Sequence, residues 1–144
     1  MDIALLSLEQ EFRARDSVAV APSSRLRFSG AHNPLWIIRK GSEQIEEIKA
    51  DKQPIGKFSH PQPFTTHSVE LNSGDTVYIF SDGYADQFGG DKGKKMKASN
   101  FKKLLLSIVN KTMKDQKLVL DQAFEDWRGD LEQLDDVCII GIRV

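Results

Sequence analysis

The 144 residues suffice for one domain with a buried core, and 40% hydrophobic with 28% charged residues is the balance of a globular protein rather than a disordered or fibrous one. A net charge of -1 supplies no overall positive field for nucleic acid or an anionic membrane, and no apolar run approaches the ~20 residues of a membrane span. A single cysteine, Cys138, excludes an intrachain disulfide and fits a reducing, cytoplasmic setting.

The start, Met1 to Leu6, lacks the basic region and cleavage site of a signal peptide. Asp2 to Leu8 reads as a strand that begins at once, Glu9 to Arg15 as a polar hairpin excursion, and Asp16 to Ala21 as a further short strand. Arg25 to Ser29 alternates polar and apolar, as a half-buried strand does. After the turn Gly30-Ala31-His32-Asn33-Pro34 come a strand over Leu35 to Arg39, a turn at Gly41-Ser42 and a weaker strand over Gln44 to Ala50. Gln53-Pro54-Ile55-Gly56 and Pro61-Gln62-Pro63 interrupt regular structure. Thr65 to Leu71 alternates again, and Asn72-Ser73-Gly74-Asp75 turns the chain into the strand Thr76 to Phe80.

The second half changes period. The basic stretch Asp91 to Lys97 reads as a solvated loop, with recruitment of phosphate as the alternative. Ser99 or Asn100 caps a helix through Phe101, Leu104, Leu105 and Ile108. A second helix, Met113 to Trp127, places Leu118, Leu120, Ala123, Phe124 and Trp127 mostly on one face and stops at Gly129. Val137 to Val144 is almost wholly apolar and reads as a central strand, with Cys138 as a small core residue. Strands, then two helices, then a strand predict an α+β fold with mostly antiparallel sheet, the two helices packed as a pair on it.

Two acidic clusters carry the chemistry. Ser81-Asp82-Gly83 ends one apolar run, and Asp135-Asp136 opens another. If the two strands are neighbours, the carboxylates converge, and a hard divalent cation relieves their repulsion. Asp75 reads as a turn residue, His32 as a structural hydrogen-bonding residue, and His60 and His67 as surface residues.

Taken in order, Gly30 to Pro34, Gln53 to Gly56, Gly74 to Gly83 and Asp135 to Ile140 resemble the SpoIIE-type branch of the protein phosphatase 2C family, bacterial serine phosphatases that regulate sigma factors and related pathways. The resemblance covers nearly the whole chain. It implies a β-sandwich flanked by helices, with two manganese or magnesium ions at one end and a water that attacks the phosphate of a phosphoserine or phosphothreonine. Carried over residue by residue, it implies Asp82 and Asp135 as metal ligands. Gly83, Asp86 and Asp136 take supporting roles, and no catalytic residue is implied beyond the ligands. The family's upstream metal-bridging Asp, in an Asp-x-x-Gly-His-Gly type turn, has no match between Met1 and Ala31. The chain therefore reads as the C-terminal part of such a domain, residues 1–144, cut from a longer protein or a truncated gene product. Weak or absent metal binding and little activity are expected of it alone. The expected partner is a phosphoprotein substrate, with no nucleic acid and no membrane contact. A homodimer through the exposed or exchanged strand Asp2 to Leu8 is also expected. The rival readings are an inactive truncated phosphatase, a non-catalytic module that binds a regulator of anti-sigma type, and a fragment that folds only by self-association.

Overall fold

The alternation of the first half and the helical period of the second appear as two compact units in the computed structural model, which describes residues 1–10 and 24–144. The first unit comprises Met1–Ile79 with Gly141–Val144, and the second Phe80–Ile140. The expected excursion Glu9 to Arg15 is contradicted in its first two residues, which belong to the strand Ile3–Gln10; its remainder and the strand Asp16 to Ala21 lie outside the described residues.

In the first unit the chain forms β1 (Ile3–Gln10), β2 (Ser24–Ala31), β3 (Leu35–Ile38), β4 (Ile45–Ile48), β5 (His67–Leu71) and β6 (Thr76–Phe80). After the second unit it returns as β9 (Ile139–Arg143). β1, β2 and β5 make an antiparallel sheet in the order β1-β2-β5, and the other sheet runs β4-β3-β6-β9. Alternation explains β2, where Leu26 and Phe28 are buried and Arg25 and Arg27 exposed. All four residues of β3 are buried, as suits a strand paired antiparallel on both sides, with β4 and with β6. Leu26, Phe28 and Leu71 from the first sheet meet Leu35, Ile37 and Val77 from the second in one apolar cluster. Two sheets closing on one core is the sandwich logic of antiparallel folds.

Four expectations need correction here. β9 begins at Ile139, not Val137, and lies at the end of its sheet order rather than in the centre. Its apolar residues are half-buried or exposed, Ile140 being 48% exposed. Cys138 lies before that strand and is exposed rather than a core residue, with its peptide groups in a loop contact described below. His67 is half-buried, its ring stacked on Phe28 with centroids 6.1 Å apart, and so is not a surface residue. Asp75 does turn the chain, its N–H donating to the Asn72 carbonyl, but it is also buried. It accepts from the Arg39 guanidinium and from the N–H groups of Lys40 and Asn72, at 2.9, 2.9 and 3.0 Å. Burial pushes the Asp75 carboxyl up, but these donors outweigh it and hold the group below the usual carboxylate range. His32 fills the structural role expected of it, with Nδ1 2.9 Å from Asp2 Oδ1 and a backbone at φ 61.

The second unit holds α1 (Gly83–Asp86), a short hairpin of β7 (Phe88–Gly89) and β8 (Lys94–Lys95), α2 (Lys97–Ile108) and α3 (Met113–Arg128). Neither α1 nor the hairpin was expected from the sequence. The unit's core is aromatic. Tyr84 of α1 packs on Phe101 and Phe124, with ring centroids 4.5 and 5.3 Å away, and Phe80 meets Phe101 edge-on at 5.2 Å. The Tyr84 hydroxyl donates to the Leu120 carbonyl, while burial, helped by Asp121, pushes its pKa well above the ordinary value. Neither Ser99 nor Asn100 caps α2: Met96 occupies the N-cap position without a side-chain capping bond, and the Asn100 side chain donates to the Met96 carbonyl. α3 is capped by Thr112, whose hydroxyl accepts from the Asp115 N–H, and Gly129 ends it as expected at φ 54. Leu118 is 59% exposed, against expectation. The buried residue of that turn is Gln116, whose amide donates to the carbonyls of Val109 and Lys111 in the α2–α3 connection. Among the described residues no helix is long and apolar enough to cross a membrane.

Candidate active site

Both acidic clusters fall in the second unit. The apolar run of β6 ends at Phe80, and Ser81 and Asp82 lead from it into α1. Asp82 occupies the N-cap position of α1, yet its side chain makes no capping bond and is exposed. Its carbonyl accepts from the Asp86 N–H at 2.9 Å.

Ser81 ties this turn to the second cluster. Its N–H donates to the Cys138 carbonyl at 2.9 Å. Its hydroxyl donates to the Asp136 carbonyl at 2.8 Å and accepts from the Cys138 N–H at 2.9 Å. Gly83 completes the join. A Cβ there would stand 2.5 Å from the Asp136 carbonyl oxygen and 3.1 Å from its carbon, so only glycine lets the backbones approach so closely. The structure thus brings the Ser81–Gly83 segment against Asp136–Cys138, with Asp82 on one segment and the Asp135-Asp136 pair opening the other. Asp135 and Asp136 are exposed, and Asp135 Oδ1 accepts from the Asp136 N–H at 2.7 Å. Asp86, at the end of α1, is exposed and pairs with Lys95 Nζ at 3.0 Å.

Exposed carboxylates on two joined segments have the donor chemistry of a hard oxygen-loving cation such as manganese or magnesium. The set is partial, since no group of three or more His, Cys, Asp and Glu side chains able to hold a metal gathers among the described residues. Sequence reasoning missed the Ser81 stitch and the Lys95 partner of Asp86. A hydroxyl directly before Asp-Gly was the available signal for the first. Nothing in the sequence marked the second, which depends on the hairpin folding back to α1.

A family model described as Stage II sporulation protein E (SpoIIE) matches residues 14–144. Among solved structures, the SiaA-PP2C domain of Pseudomonas aeruginosa is similar with a TM-score of 0.75 and 26% identity, over 83% of this chain and 46% of that one. The phosphatase domain of the cell fate determinant SpoIIE from Bacillus subtilis, presoaked with Mn, is similar with a TM-score of 0.60 and 17% identity, over 99% of this chain and 56% of that one. The chain therefore spans about half the length of the solved domains it matches. No curated protein matches. With the family model covering nearly all of the sequence and the fold agreeing, the chain belongs to the SpoIIE family, and its fold of helices and antiparallel sheets is similar to that of PP2C phosphatase domains.

Proposed function

We propose that residues 1–144 form the C-terminal part of a metal-dependent phosphatase domain that hydrolyses a phosphoserine or phosphothreonine in a protein partner, in bacterial signalling. The observation that carries this reading is the join between Ser81–Gly83 and Asp136–Cys138, which sets two carboxylate-bearing turns side by side. Asp82 and Asp135 would hold manganese or magnesium, with remaining oxygens from water and from protein outside these residues. Asp136 adds negative charge beside Asp135, Gly83 permits the close approach, and Asp86 sits on the turn after Asp82. The metal, when bound, supplies an activated water and positive charge against the phosphate. The chain's own contribution is to fix the two turns relative to each other before any ligand arrives, so that little reorganisation remains.

The rival reading, a non-catalytic module that binds a regulator, draws on the partial ligand set. Manganese-dependent hydrolysis of a phosphoserine peptide, measured on this chain and on the chain extended to the full length of its relatives, separates the two. The extended protein is expected to be active and its Asp82→Asn variant inactive, with this chain alone much weaker. No turnover by the extended protein at any manganese concentration would refute the enzymatic reading.

A further inference from the structure

The hairpin after α1 is basic and firmly held. Lys92, Lys94 and Lys97 are exposed and, unlike Lys95, have no ion-pair partner among the described residues. The base of the hairpin is locked in place. The Met96 N–H donates to the Gln87 carbonyl at 3.0 Å, the Gly90 N–H to the Trp127 carbonyl at 2.8 Å, and the Trp127 indole to the Gln87 carbonyl at 3.0 Å. A Cβ on Gly89 would stand 1.8 Å from the Trp127 carbonyl oxygen, so the hairpin backbone is pressed against the end of α3. A loop that merely keeps lysines in solvent needs no such anchorage.

Beside the hairpin, between α2 and α3, lies an open groove of about 420 Å³ lined by Met96, Asn100, Leu104, Ala123, Asp126 and Trp127. Four of the six are apolar or aromatic, and Asp126 Oδ1 is already engaged by the Gln122 amide. Lys95 and Met96 are consecutive. The first touches the turn that carries Asp82 and Asp86, and the second lines the groove. The hairpin thus adjoins both the groove, through Met96, and the turn after Asp82, through Lys95.

We propose that this groove and its lysine lip dock an acidic protein segment, one bulky apolar side chain filling the groove and its carboxylates or phosphates meeting Lys92, Lys94 and Lys97. Charge complementarity selects the partner, since free ammonium groups at a rim attract anions and an apolar seat beside them favours a peptide over a bare polyanion. The inference rests on the phosphatase reading only where it identifies the segment as substrate. Docked there, the segment would lead its phosphorylated residue along the hairpin toward Asp82.

Fluorescence anisotropy with a fluorescein-labelled peptide bearing phosphoserine, flanking glutamates and one leucine tests the docking without any catalytic step. Binding at low salt is expected, weakened about ten-fold in the double variant Lys92→Glu, Lys94→Glu, whose positions are exposed. Ala123→Phe, which narrows the groove, is expected to weaken the leucine peptide and leave a leucine-to-glycine peptide unchanged. Unaltered affinity in the charge-reversed protein overturns the proposal. So does absence of binding, or equal affinity for an oligonucleotide of the same net charge. Docking by the extended protein with manganese but without hydrolysis would refute the phosphatase reading alone, and hydrolysis by that protein indifferent to the hairpin lysines would refute the docking alone.

Discussion

Gly83→Ala turns the close approach at the candidate site into a question of sign. Gly83 opens α1 and is not among the glycines of positive φ, so its backbone conformation suits alanine. In an unobstructed helical position the substitution would stabilise by up to about 1 kcal/mol through intrinsic propensity. Here the added methyl would lie 2.5 Å from the Asp136 carbonyl oxygen, 3.1 Å from its carbon and 3.3 Å from a Val137 methyl. The first distance is well inside van der Waals contact, and the neighbour is backbone held by the Ser81 hydroxyl, which cannot swing aside like a flexible side chain. Overpacking of this kind costs roughly 1–3 kcal/mol, which outweighs the propensity gain. The net expectation is a loss of about 1 kcal/mol, or a fall in Tm of about 2–4 °C for a protein of this size. Urea and thermal unfolding followed by circular dichroism measure it. Manganese titration by calorimetry of the extended protein is expected to show weaker binding in the variant, because the Asp135–Asp136 turn must move away from Asp82. A Tm that rises by the propensity increment would refute the close approach and the site built on it.

Asp75→Ala removes the acceptor of three donors, strands Lys40 and Asn72 N–H groups, and is expected to cost about 3 kcal/mol in urea unfolding at pH 7. The folded carboxyl is held below its ordinary value, so the ionised group stabilises above about pH 4 and that contribution disappears as pH falls through the lower folded value. The gap between wild type and Asp75→Asn should therefore shrink in melts at pH 3, and a constant gap would contradict the hydrogen-bond assignment. Leu105 is fully buried in α2, and Leu105→Asp is expected to abolish the cooperative melt of the second unit, at a cost above about 3 kcal/mol. β1 ends its sheet order and exposes Ile3 and Leu5 at 38% and 65%, so light scattering is expected to show self-association that Leu5→Lys reduces, whereas a clean monomer mass for the unaltered chain would end that expectation.

What the sequence made legible follows the strength of each local signal. Thr76 to Phe80 was readable to the residue because an Asn-Ser-Gly-Asp turn precedes a β-branched and aromatic run. The helix expected over Met113 to Trp127 and found as Met113–Arg128 was readable through its period and its glycine stop, yet Leu118 misled, since helical phase alone does not reveal that Gln116 turns inward to satisfy carbonyls of the α2–α3 connection. Cys138 misled for a related reason. An apolar neighbourhood suggested burial, but the peptide group of Cys138 is spent on Ser81 and its side chain faces out. At the candidate site, Asp82 and Asp135-Asp136 stood out as carboxylates beside apolar runs, although the latter pair lies in the loop before β9 rather than at its first residue. The Ser81 hydroxyl that joins their turns, and the lysine that folds back onto Asp86, depend on contacts between residues 55 and 9 positions apart, which no local pattern encodes.

The Ser81–Cys138 clip has a kinetic consequence. The second unit is an insertion within the first, leaving it inside β6 and rejoining it inside β9. For an open chain, bringing the two ends of roughly 60 intervening residues together costs about 3–4 kcal/mol of closure entropy. Once Phe80–Ile140 has folded, its ends are already side by side, because Ser81 and Cys138 exchange hydrogen bonds. Pairing of β6 with β9 then becomes a short-range event. If the helical unit folds first, most of that closure entropy is already spent when the sheet's most distant strand pair forms.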